Sequence, residues 1–131
     1  MRGYSVATAA LALGVEIKWL DNLLSQNRVS GVAQSRQGVQ RRIQPAALYL
    51  IATAYGLNRD LQIPVATALR LARAIWQGPE GDQAGALATL AVGDIAIQLN
   101  RADLKERMDQ ALAEAVEVAP RPKRGRPPKV R

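Results

Sequence analysis

The chain has 131 residues and a mass of 14.1 kDa, room for one compact domain and a short appendage. It contains no Cys and no His, which excludes disulfides, thiolate zinc sites, a Ser-His-Asp triad and a Cys nucleophile. With 18 Lys+Arg against 11 Asp+Glu, the formal net charge of +7 calls for an acidic partner, and nucleic acid is the commonest one.

The apolar fraction of 48% is rich in Ala and Leu and only 4% of residues are aromatic, a balance that favours helices. In chain order, Ser5 caps a helix over residues 6–13, and Gly14 ends it. A second helix covers residues 16–25. Its Ile17, Trp19, Leu20, Leu23 and Leu24 form one apolar stripe, and Lys18, Asp21, Asn22 and Ser25 lie opposite. Residues 27–44 lose helical periodicity and read as a two-stranded hairpin, with strands near 29–33 and 39–44. Arg28, Arg36, Arg41 and Arg42 decorate it, together with Ser35 and Gln37, and no acidic residue does.

Pro45 opens a helix over residues 46–55 that Gly56 closes, and Pro64 opens another over 65–76. Residues 78–81 (GPEG) form a breaker cluster and a subdomain boundary. Leu87, Leu90 and Val92 precede Gly93-Asp94, and Ile95, Ile97 and Leu99 follow in strict alternation, the pattern of a half-buried strand. A hairpin turning at Gly93-Asp94 is expected, although residues 84–91 read as helix too, since Ala and Leu suit both. A last helix over 101–118 starts after Asn100 as N-cap and carries Leu104, Met108, Leu112 and Val116 on one face.

Charge is segregated along the chain. Residues 1–73 hold nine basic and three acidic residues, residues 74–119 hold three and eight, and residues 120–131 hold six and none. A basic front and a basic tail thus flank an acidic middle, which suits packing or a protein partner better than phosphate.

Residues 6–25 fit a helix-turn-helix. Ala10 is the small residue where the helices meet, Gly14 takes the tight turn, and Ala9, Leu13, Val15, Leu20 and Leu23 pin the pair. Such a pair holds its second helix rigidly, so that its outer face can enter the major groove. Lys18 and Asn22 can read guanine and adenine edges, and Ser25 is permissive. Asp21 repels phosphate unless it accepts from cytosine or pairs with a nearby Arg. An ordinary antiparallel helix pair shares this pattern, and the basic hairpin that follows favours the DNA-binding reading.

The order of helix, turn, helix, basic wing and Pro-started helix resembles the DNA-binding domain of MerR-like and excisionase-like bacterial proteins. The resemblance covers residues 4–76 and rests on the opening stretch YSVATAALALGV at 4–15. It implies a winged helix-turn-helix in which Lys18, Asp21, Asn22 and Ser25 face the major groove. Arg28, Ser35, Arg36, Gln37, Arg41 and Arg42 would lie along the backbone or the minor groove. The chain lacks the Cys ligands and the long dimerisation helix of full MerR regulators, so a metal-sensing or drug-sensing role does not carry over.

Residues 120–131 (PRPKRGRPPKVR) cannot build a core and read as disordered when free. Their Lys123, Arg124, Gly125, Arg126, Pro127 and Lys129 resemble an AT-hook. The glycine lets the backbone reach the floor of the narrow A·T minor groove, and the two arginines extend along it. A generic basic tail is the plainer alternative.

The expected fold class is therefore mainly α: a winged helix-turn-helix over 1–77, an acidic hairpin-plus-helix segment over 78–119 suited to dimerisation, and a disordered tail over 120–131. The expected function is sequence-specific binding of double-stranded DNA by a homodimeric bacterial transcriptional regulator. The alternatives are a phage or plasmid recombination or architectural factor, and an antitoxin or adaptor that binds a protein. No enzyme activity, cofactor, metal or small-molecule substrate is expected. Residues 1–15 have some signal-peptide character, but the helix-turn-helix explains them more fully. No run approaches the ~18–20 apolar residues of a membrane span. A cytoplasmic, nucleoid-associated location follows.

Overall fold

The computed structural model of the protein describes residues 3–33, 41–76 and 87–118. These form a mainly helical fold with two small antiparallel sheets, in the order α1 (Val6–Leu13), α2 (Ile17–Gln26), β1 (Val32–Ala33), β2 (Arg42–Ile43), α3 (Pro45–Leu61), α4 (Val65–Trp76), β3 (Leu87–Val92), β4 (Ile95–Asn100) and α5 (Arg101–Val118).

Local chemistry sets most of the helix ends. The Ser5 hydroxyl accepts from the Thr8 amide at 3.1 Å and caps α1. Gly14 sits at φ 76, where a side chain is disfavoured. Its amide and that of Val15 close back onto the Leu11 and Ala10 carbonyls at 3.2 and 3.0 Å, a Schellman-type stop that turns the chain into α2. Pro45 occupies the first turn of α3. The Asn100 side chain accepts from the Asp103 amide at 2.9 Å and caps α5.

One core joins all five helices. Ala9 and Ala10 of α1, Leu20, Leu23 and Leu24 of α2, Ile43 of β2, and Leu48 and Ile51 of α3 are buried together with Ala68 and Leu69 of α4. Leu104, Met108 and Leu112 of α5 complete the same cluster. The acidic segment's helix therefore packs against α1 and α3. Two polar stitches reinforce this arrangement. Arg101 is buried and donates to the Ile75 carbonyl at 3.3 Å, holding the start of α5 against the end of α4. The Tyr49 hydroxyl donates to Asp109 at 2.6 Å, and burial together with that carboxylate pushes the phenol well above its ordinary pKa, so it stays a donor.

Several expectations need correction. The second helix starts at Ile17, with Glu16 in the capping position, and Ile17 is exposed and lies off the buried stripe. The first hairpin's described strands are two residues each, so residues 29–31 fall outside the first strand and 41 and 44 outside the second. Residues 34–40, with the start of the expected second strand, lie outside the described residues. The first strand cannot start at Val29. A turn closes there, with the Val32 amide on the Val29 carbonyl at 3.3 Å and Gly31 at φ 89.

The third helix does not close at Gly56. It runs on to Leu61 and stops at Gln62, at φ 61. A glycine inside a helix costs about 0.5–1 kcal/mol, and burial of the next-turn Leu57 outweighs that. In α5, Val116 is exposed at 55%, while Ala115 is buried. A spacing of four drifts around a helix of 3.6 residues per turn, so the fourth member leaves the face.

Residues 87–91 are strand, and 84–86 lie outside the described residues, as does the 78–81 cluster. β3 and β4 pair in register through Ala88 and Leu99, Leu90 and Ile97, and Val92 and Ile95, turning at Gly93-Asp94 as expected. These six share one face. Ala88 at its root is buried, but Ile95 near the turn is exposed at 67%, so the sheet is half-buried only toward its base.

Candidate functional site

The polar face of α2 and the adjoining hairpin base form one surface. Lys18, Asp21, Asn22 and Ser25 are all exposed, because Leu20, Leu23 and Leu24 turn the opposite stripe into the core. β2 is anchored beside this helix from two sides. The Tyr4 amide donates to the Ile43 carbonyl at 2.8 Å and the Ile43 amide to the Tyr4 carbonyl at 2.9 Å. The Gln44 amide donates to the Gly31 carbonyl at 2.9 Å. Gly3 is required at this junction, since a Cβ there would stand 2.9 Å from the Arg42 Cβ and the Ile43 backbone nitrogen.

Strand alternation then decides where the arginines go. Ile43 points into the core and Arg42 points out to solvent. Arg41 turns back toward α2, where its guanidinium donates to Asp21 Oδ1 at 2.6 Å and to Ser25 Oγ at 3.3 Å. The pair leaves Arg41 only 20% exposed and Asp21 at 53%. The one acidic side chain of the α2 face is thus neutralised by the hairpin. Lys18, Asn22, Arg28 and Arg42 carry no ion pair among the described residues.

The sequence-expected site residues are therefore gathered in part. Lys18, Asp21, Asn22, Ser25, Arg28, Arg41 and Arg42 share the α2–hairpin region. Ser35, Arg36 and Gln37 lie outside the described residues, as do Lys123, Arg124, Gly125, Arg126, Pro127 and Lys129. One cation that the sequence did not single out joins them. Arg73, in the last turn of α4, donates to the Arg28 carbonyl at 3.4 Å. Its only local signal was a basic residue near a helix C-terminus, which is a common capping feature.

A concavity of about 700 Å³ lies between α1, α3, β4 and α5, over Leu13, Leu57, Leu104 and Met108. At its rim Arg59 pairs with Asp60 at 2.9 Å and Arg107 faces Asp103 at 3.7 Å, so the charges there cancel locally. Among the described residues no cluster of His, Cys, Asp and Glu could hold a metal ion, and no helix is long and apolar enough to cross a membrane. No protein-family model, curated protein or solved structure matches the chain.

Proposed function

We propose that this protein binds double-stranded DNA in a sequence-specific way, as a bacterial transcriptional regulator built on a winged helix-turn-helix. The observation that carries the reading is the Arg41–Asp21 contact beside exposed Lys18 and Asn22. It removes the charge that would repel phosphate and holds a basic hairpin along the helix meant for the groove. The order α1, tight turn, α2, antiparallel hairpin, α3 supports the same reading.

In this arrangement Lys18 and Asn22 touch base edges in the major groove. Arg41 is a positioning residue that fixes the hairpin against α2 through Asp21 and Ser25. Arg28 and Arg42 face the phosphate backbone. The tail would add A·T minor-groove contacts, tethered at an effective concentration on the order of millimolar.

One short helix reads only a half-site, so the working form is a homodimer. The apolar face of α5 is taken up by the core. The twelve residues of β3 and β4 carry no charge, and Val92 and Ile95 are exposed. Two chains of charge +7 would meet there with the least repulsion.

The test is selection of bound sequences from random duplexes, run with the full chain and with residues 120–131 deleted. A discrete enriched motif is expected from the full and the shortened chain alike. Enrichment of nothing by either overturns the reading, and extended, strongly bent protection without a motif favours an architectural factor.

A further inference from the structure

Beyond the α2 face, we infer that Arg73 and Arg28 form a second contact point, a seat for a phosphodiester of the duplex backbone at the end of α2; the inference rests on the DNA-binding reading. A cleft of about 560 Å³ opens there, lined by Asn27, Arg28, Ser30, Gly31 and Arg73 among others, and among the described residues no carboxylate lines it. Its parts come from three elements that the fold brings together: the end of α2, the turn into β1, and the last turn of α4.

The seat is built. Arg73 lies 45 positions from Arg28 in the chain and is half-buried, and its guanidinium is oriented by the bond to the Arg28 carbonyl at 3.4 Å. A guanidinium has five N–H donors, so one such bond leaves several for a ligand. Arg28 itself is exposed, and its side chain has no acidic partner among the described residues. The exposed Ser30 adds a hydroxyl from the turn. Gly31 holds that turn. It sits at φ 89, and a Cβ on it would stand 3.1 Å from the Ala47 Cβ. The turn therefore stays close against α3.

The charge balance favours an anion. The C-terminal end of α2 contributes about half a negative charge, against two full positive charges from the arginines. Part of that negative end is also satisfied already, because the Asn27 amide and its side-chain Nδ2 both donate to the Leu23 carbonyl at 3.0 Å. Planar donors beside a hydroxyl match the oxygens of a phosphodiester. The cleft follows directly on α2, so a duplex lying along Lys18 and Asn22 would run its backbone past this corner.

Binding of a duplex carrying the selected motif is measured against salt for the full chain, Arg73→Gln, Arg28→Gln and the control Arg107→Gln on α5. Each cleft variant should weaken binding about fivefold near 0.15 M salt and reduce the slope of log affinity against log salt by about one, with base preference unchanged. Arg107→Gln should change neither. Circular dichroism of each variant checks that the fold is intact, and Arg73→Lys, which keeps the charge, should recover the slope. A wild-type chain that binds no duplex overturns both the DNA-binding reading and this inference. Wild-type binding with an unchanged slope in folded Arg73→Gln overturns this inference alone. So does a saturable response of the Arg73 side-chain NMR signal to inorganic phosphate in a protein whose duplex slope ignores Arg73, an outcome that would make the cleft a free-anion site.

Discussion

Arg41 and Asp21 stand twenty positions apart in the chain and meet at 2.6 Å, joining the approach to β2 to the outer face of α2. Neither residue is deeply buried, so the pair adds little to stability; exposed ion pairs contribute about 0.2–1 kcal/mol. Its consequence is electrostatic and geometric. It cancels the one negative side chain on the α2 face and fixes the hairpin beside Lys18 and Asn22.

Arg41→Ala should therefore unfold within about 1 kcal/mol of the wild type in urea, yet bind duplex at least about fivefold more weakly. Asp21→Asn keeps an acceptor for Arg41 and should bind as well as the wild type or better. Fluorescence anisotropy on a labelled duplex, beside urea curves, reads both effects. Equal affinity for Arg41→Ala and wild type would remove Arg41 from the positioning role.

Lys18 and Asn22 are assigned to base edges because both are exposed on the face opposite Leu20, Leu23 and Leu24. Asn22→Ala should reduce discrimination at one base position by about 1–3 kcal/mol, while binding to unrelated duplex changes little. Competition with single-base variants of the selected motif measures it. A uniform loss across all sequences would make Asn22 a backbone contact.

The tail carries six basic residues with no acidic one in 120–131. With about four phosphate contacts from the tail and four from the folded front, the slope of log affinity against log salt should be roughly −7 per protomer, and deleting 120–131 should halve it. Arg124→Ala combined with Arg126→Ala should erase the A·T preference that the tail adds. If preference and slope both survive that double change, the AT-hook assignment fails.

Leu112 is 2% exposed and shares its cluster with Leu48 and Ile51. Leu112→Ala should cost about 2–5 kcal/mol and lower a single unfolding transition. Two separated transitions in the wild type, with only one responding, would show that α5 folds as its own unit.

Val92 and Ile95 face the same side of the hairpin, and Ile95 is the most exposed large apolar side chain described, at 67%. Ile95→Lys places a charge on that face and should shift a dimer to monomer in sedimentation velocity, with the helix content unchanged. A wild-type chain that sediments as a monomer at about 100 µM, by contrast, would discard the dimer, and about 800 Å² per partner would then have to be found elsewhere for any stable self-association.

Much of the secondary structure could be read along the chain, because its causes are local. Ser5, Gly14, Pro45, Pro64 and Asn100 act on backbone groups within one turn: α1 begins and ends where Ser5 and Gly14 place it, and α4 and α5 begin where Pro64 and Asn100 place them. The polar face of α2 was likewise readable from its 3.6-residue period. Gly56 shows where such reasoning stops. A glycine is a plausible helix end, yet whether the helix continues depends on Leu57 finding a buried place, which residues far away in sequence provide.

The order of the chain thus decided most of the helices, where most of them start, and where charge collects, while it left residues 84–91 open between helix and strand. Tertiary structure decided who meets whom. It turned the α5 face into the core, left the outer half of the β3–β4 face uncovered, brought Arg41 inward onto Asp21, and carried Arg73 to Arg28. The physical reason is range. Caps and periodicity act over a few residues, whereas ion pairs and burial act over ångströms in space, and the folded chain alone sets those distances.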